Sequence, residues 1–226
     1  MAITYVTYLA VSILALILNF FNISALRSQN TDKDLTGEYS LTGILEMASG
    51  FKFNNDNTFQ FFYIYGASDR QAHGTYKTEG SRIILNGSKS AGNDFSLIQK
   101  QNSKSGNKIT VKITDKNVLL LKNVVCFFMN GKDTVIAETN SEGIAVTEMT
   151  DCNQIQLIHS FFPDLPSILE VDTKKANFFE FSLNPSLAEV VFDNFIMEQD
   201  ETDIDVLYCG NKYLFPGEKV KFVKHK

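Results

Sequence analysis

Lys108-Ile109-Thr110-Val111-Lys112-Ile113-Thr114 alternates polar and apolar side chains without a break. A strand turns successive side chains to opposite faces, so Ile109, Val111 and Ile113 share one face and the lysines and threonines take the other. The same period recurs outward from this stretch. Thr58-Phe59-Gln60-Phe61-Phe62-Tyr63-Ile64-Tyr65 is aromatic and β-branched, with Phe59, Phe61, Tyr63 and Tyr65 on one side. Phe178 to Leu183 places Phe179, Phe181 and Leu183 together. Such side chains fit a pleated, half-buried surface. Asn54-Asn55-Asp56-Asn57 separates two of these runs and predicts a hairpin, and Asn86-Gly87, Ser105-Gly106-Asn107, Asn130-Gly131 and Gly210-Asn211 mark further turns. Many short strands so punctuated predict an all-β chain, an antiparallel sandwich or partial barrel.

Asn184-Pro185-Ser186, followed by Leu187, Val190, Val191 and Phe195, carries an N-cap, a proline at the first helical position and helical spacing. Val190, Phe192 and Ile196 also alternate, and the neighbouring pattern favours strand for 185–197 over a single helix. A soft boundary at Thr114-Asp115-Lys116-Asn117 predicts two small β domains, 35–115 and 116–226.

The N-terminus reads differently. No charged side chain occurs from Ala2 to Leu26, and Leu9 to Leu18 is nearly all aliphatic. Ile23-Ser24-Ala25 supplies the small residue of a signal-peptide cleavage point, so residues 1–25 are expected to be a signal peptide. The alternative is an uncleaved membrane anchor through residues 2–26, favoured by the missing positive n-region and by Arg27 and Lys33 downstream. Both readings predict export, to the periplasm, cell surface or medium.

Among 226 residues, 21 basic and 26 acidic side chains give a net charge of -5, which argues against a nucleic-acid partner. Cys126, Cys152 and Cys209 allow at most one internal disulfide, with Cys152–Cys209 the candidate because both lie in turn-like sequence. Cys126 reads as a small buried hydrophobe. His73, His159 and His225 are scattered without nearby Cys, so no zinc site, and no other metal or cofactor, is expected. Glu198, Asp200, Glu201, Asp203 and Asp205 lack the glycine and terminal glutamate of a calcium loop and read as surface acidity. Ser49-Gly50-Phe51-Lys52 fits a Ser-x-x-Lys pattern, but a strand would turn the two functional groups apart. No phosphate loop, dinucleotide fingerprint or nucleophile elbow is present.

Leu35-Thr36-Gly37-Glu38-Tyr39, Phe53-Asn54-Asn55-Asp56-Asn57-Thr58-Phe59, Gly74-Thr75-Tyr76 and Ile83-Ile84-Leu85 resemble small secreted lipocalin-like β domains. Thr139-Asn140-Ser141-Glu142-Gly143, between Asp133–Glu138 and Ile144-Ala145, resembles the strand-linking turn of the carboxypeptidase regulatory-like, transthyretin-like sandwich. These resemblances imply non-enzymatic modules. The most site-like patch is Tyr63, Tyr65, Asp69, Arg70, His73 and Tyr76, where Arg70 can grip a carboxylate between aromatic walls. The plainer reading is a hairpin with a local Asp69–Arg70 ion pair. The expected function is a non-catalytic exported binding or scaffold module at the cell envelope, with an unidentified protein or small molecule as partner. A lipocalin-like carrier of an apolar or carboxylate-bearing ligand is the alternative, and an enzyme of unrecognised type the third reading.

Overall fold

The computed structural model describes residues 34–102, 108–211, 214–215 and 219–226. The segment read as signal peptide or anchor lies outside these, as does the turn at Ser105-Gly106-Asn107. Among the described residues no helix is long and apolar enough to cross a membrane.

The chain begins with an antiparallel meander: β1 (Gly37–Thr42), β2 (Met47–Phe53), β3 (Thr58–Tyr65), β4 (Ser68–Glu79) and β5 (Arg82–Gly87). It then departs through β6 (Phe95–Gln101), β7 (Ile109–Thr114), β8 (Val124–Asn130), β9 (Asp133–Glu138), β10 (Ile144–Thr147), β11 (Gln154–His159), β12 (Ser167–Glu170) and β13 (Phe178–Leu183). It returns as β14 (Phe195–Gln199), β15 (Val206–Cys209) and β16 (Val220–Lys224). The five first strands and three last close an eight-stranded barrel in the order β1-β16-β15-β14-β5-β4-β3-β2, antiparallel at every pairing.

Eight strands leave an interior about wide enough for side chains to fill. Here aromatic rings fill it. Phe51 stands 4.7 Å from Phe61, 5.0 Å from Phe222 and 6.0 Å from Phe192, centroid to centroid. Phe53, Phe59, Leu85, Met197 and Leu207 complete the packing. Phe192 enters from the irregular stretch before β14, and its carbonyl accepts from Gly87 N–H at 2.7 Å. A side chain at Gly87 would press on Phe192, its Cβ coming within 3.3 Å of the Phe192 backbone nitrogen.

The intervening strands form two four-stranded sheets, β10-β7-β13-β6 and β12-β11-β8-β9. Ile109, Val111, Ile113, Phe179 and Phe181 from the first share a core with Val124, Cys126, Phe128, Ile155 and Leu157 from the second. One pairing, β13 with β7, is parallel. The sandwich is thus an insertion between β5 and β14. Its two connections to the barrel lie side by side, because Asn86 Oδ1 also accepts from Asn194 N–H at 3.0 Å.

All-β architecture holds, and several finer expectations need correction. The barrel is closed rather than partial, and a boundary near residue 115 does not divide it from the sandwich. β6 and β7 precede that point yet belong to the sandwich, while β14–β16 follow it and complete the barrel. Residues 35–226 cluster as one compact unit. In 185–197 the Asn184-Pro185 signal produces one 3-10 turn, Pro185–Ala188, and strand begins only at Phe195. The Cys152–Cys209 disulfide is also overturned: all three thiols are free, Cys152 in the sandwich core and Cys209 in the barrel core.

Candidate functional site at the mouth of the barrel

On β4, alternation carries Arg70 and Ala72 inward and Asp69, Gln71 and His73 outward. Arg70 therefore turns away from its sequence neighbour. Its guanidinium is 1% exposed and pairs with Asp164, from the loop after β11, at 2.5 Å. The same Nη2 donates to the Glu189 carbonyl at 3.0 Å. Asp164 also meets Lys89 at 3.2 Å, and Lys89 meets Asp94 at 2.6 Å. Lys89 further donates to the Glu189 carbonyl at 2.7 Å. Two cations and two anions are thus sealed where both connections of the sandwich and its 160–166 loop meet the barrel. Burial pushes the Asp94 carboxyl above its ordinary 3.8, opposed by Lys89.

Beside this cluster lies a cleft of about 590 Å³ at the barrel mouth. Ile44, Leu45, Met47, Tyr63, Tyr65, Arg70, Phe161, Pro163 and Phe215 are among the residues that line it. Arg70 is the only charged residue among the described lining. Ser68 Oγ donates to the Phe161 carbonyl at 2.8 Å, which fastens the loop to β4. Burial raises the Tyr63 phenol above its ordinary 10.0, with Arg70 opposing, so the hydroxyl is neutral at pH 7.

The guanidinium is incompletely satisfied. Of its five N–H donors, Nη2 supplies two, to Asp164 and Glu189. The other donors, on Nε and Nη1, have no hydrogen-bond partner among the described residues. Leaving a buried donor unpaired costs roughly 1–3 kcal/mol.

No family model, curated protein or solved structure matches the chain. The site is therefore read from its own chemistry. Of the six residues singled out in the sequence, the structure brings Tyr63, Tyr65 and Arg70 into the cleft. Asp69 is exposed on the outer wall, so the local Asp69–Arg70 ion pair is replaced by Arg70–Asp164. His73 lines a separate outer-wall groove with Gln60, Phe62 and His225. Tyr76 lies toward the far end of β4, where its hydroxyl donates to the Asn54 carbonyl at 3.0 Å. Asp164, Lys89, Phe161 and Leu45 were not anticipated. Pro163-Asp164-Leu165-Pro166 has no periodicity to flag it, and its partner is 94 residues away.

The remaining candidates resolve into local structure. Ser49 is buried, donating to the Phe62 carbonyl at 2.9 Å, while Lys52 points outward to Glu38 at 3.1 Å. Asp200 accepts from Thr202 N–H and Oγ1 and from Asp203 N–H in the β14–β15 turn, bonds that hold its carboxyl at about 2. Among the described residues no group of three or more His, Cys, Asp or Glu is placed to hold a metal. Burial pushes the Cys126 and Cys209 thiols up to about 12, which leaves neither as a thiolate at neutral pH.

Proposed function

We propose that the protein is a non-catalytic binding module, exported to the cell envelope, that holds a small ligand at the barrel mouth rather than inside the barrel. The observation that carries this reading is the distribution of space. Interlocked phenylalanines occupy the interior, while about 590 Å³ opens at the mouth between the barrel and a sandwich loop. Ligand sites are commonly clefts of about 300–1,000 Å³, mostly apolar with a few placed polar groups, and this one fits that description. Export rests on the uncharged N-terminal segment. The protonated buried thiols and the opposed faces of Ser49 and Lys52 favour binding over covalent catalysis.

A thermal-shift screen of small amphiphiles tests the reading, with wild type beside Leu45→Asp. Leu45 is 89% exposed at the cleft rim, so the substitution leaves folding nearly unchanged while placing a charge on an apolar wall. The expected result is a saturable stabilisation of the wild type by at least one compound, reduced in the variant. Stabilisation of equal size in both proteins would move the site elsewhere.

A further inference from the structure

We infer that the outer wall of the barrel carries a second binding site, for a neutral oligosaccharide, in the groove that crosses β1 to β4. The groove has a volume of about 790 Å³ and shares no described lining residue with the mouth cleft, so the inference stands apart from the mouth-binding reading. Strand register builds it. Ser40 pairs with Gly50, Gly50 with Phe62, and Phe62 with Gln71, which sets these four in one row across the outward face. Glu38, Lys52, Gln60 and His73 form the row beside it in the same way. Gly50 has no side chain, and the Phe62 ring leans into the space it leaves: a Cβ there would come within 2.6 Å of Phe62 Cε1. Phe62 nonetheless stays 45% exposed, an aromatic platform on the wall.

The occupant follows from what surrounds the ring. Gln60, Gln71 and His73 are exposed, and their side chains make no hydrogen bond among the described residues. A primary amide donates and accepts at once, as a sugar hydroxyl does. An aromatic face is electronegative, which suits the C–H face of a pyranose ring. Charge in the groove is balanced, because Lys52 and Glu38 pair at 3.1 Å. A polyanion such as a nucleic acid therefore finds no basic track. An extended peptide finds no strand edge to join, because the barrel is closed. A hydrocarbon would desolvate the amides and the imidazole without giving them partners. From β1 to β4 is three strand spacings, about 14 Å, which suits a chain of sugars better than a single ring.

Isothermal titration of the full chain with cellohexaose, maltohexaose and N-acetylchitohexaose, and with hexagalacturonate as a charged counterpart, tests the site. At least one neutral hexasaccharide is expected to bind, and more tightly than hexagalacturonate. Phe62→Ala should weaken it about tenfold, within the range for a ring stacked on an aromatic side chain. Gln71→Ala, an exposed change that leaves folding intact, should weaken it several-fold. Leu45→Asp, at the mouth, should leave it unchanged. If Phe62→Ala disturbs the wall over Gly50, Gln71→Ala and Leu45→Asp still decide. Binding that either groove variant leaves unchanged would overturn the site. Loss of binding in Leu45→Asp alone would move the sugar to the mouth, overturning this inference and favouring the mouth-binding reading. Equal or tighter binding of hexagalacturonate would overturn the neutral class of ligand, and no binding of any neutral hexasaccharide would overturn the inference outright.

Discussion

Arg70 and Asp164 show how much one ion pair carries here. Both side chains are at most 8% exposed, and Asp164 is shared between Arg70 and Lys89. Removing one partner of a buried pair leaves an uncompensated charge, so Asp164→Ala is expected to cost about 3–5 kcal/mol in urea unfolding. A loss of no more than about 0.5 kcal/mol, ordinary for a surface residue, would mean the cluster is solvated. The sequence made Arg70 visible, between aromatic strands, as a residue able to grip a carboxylate. It also suggested Asp69 as partner, and that failed for a local reason: adjacent strand residues face opposite ways. Asp164 was invisible because nothing in Pro163-Asp164-Leu165-Pro166 has a period that reports burial.

At the scale of elements, strands were legible where their period was clean. Ile109, Val111 and Ile113 are all fully buried, and the hairpin at Asn54–Asn57 joins β2 to β3 as expected. The turn at Thr139–Gly143 forms too, with the Asn140 side chain accepting from Glu142 and Ile144 N–H. Gly143 takes φ 76 there, and a Cβ would collide with the Ile113 carbonyl. The stretch 185–197 was misread because Val190 and Phe192 alternate without pairing into the barrel wall; Phe192 fills its interior instead. The end of β11 couples an element to the site. His159 is fully buried, its Nδ1 accepting from Phe161 N–H at 3.2 Å, which assigns the proton to Nε2 facing the Leu120 carbonyl at 3.3 Å. Burial holds this imidazole below its ordinary 6.5. Its stabilising contribution is present above that value and is lost as pH falls, because the unfolded chain takes up the proton first. Denaturant midpoints should therefore drop from about pH 7.5 to about pH 5.5, and the drop should shrink in His159→Phe. Asp94 acts in the opposite direction, favouring the fold below its ordinary 3.8 and losing that contribution as pH rises through its raised value. An unchanged pH dependence in His159→Phe would mean His159 protonates freely in the fold.

For the whole molecule, closure is what sequence could not report. β1 pairs with β16, joining residues near both ends of the described chain, and β5 pairs with β14 across the entire inserted sandwich. Neither pairing leaves a local signature, since strand alternation specifies a face and not a neighbour. Closure nonetheless decides where a ligand can go. It brings Leu207, Cys209, Val220 and Phe222 into the interior with the N-terminal phenylalanines, and it leaves a cleft at the mouth beside the sandwich loop. Four of the five methionines sample these places separately: Met47 lines the cleft, Met197 lies in the barrel core, and Met129 and Met149 belong to the sandwich. Carbon-13 methyl spectra of methionine-labelled full-length protein, titrated with a compound that stabilises the wild type in the thermal-shift screen, therefore locate the ligand directly. The account predicts a saturable shift of Met47, with Met197, Met129 and Met149 unmoved. A shift of Met197 without Met47, which would place the ligand inside the barrel, contradicts it.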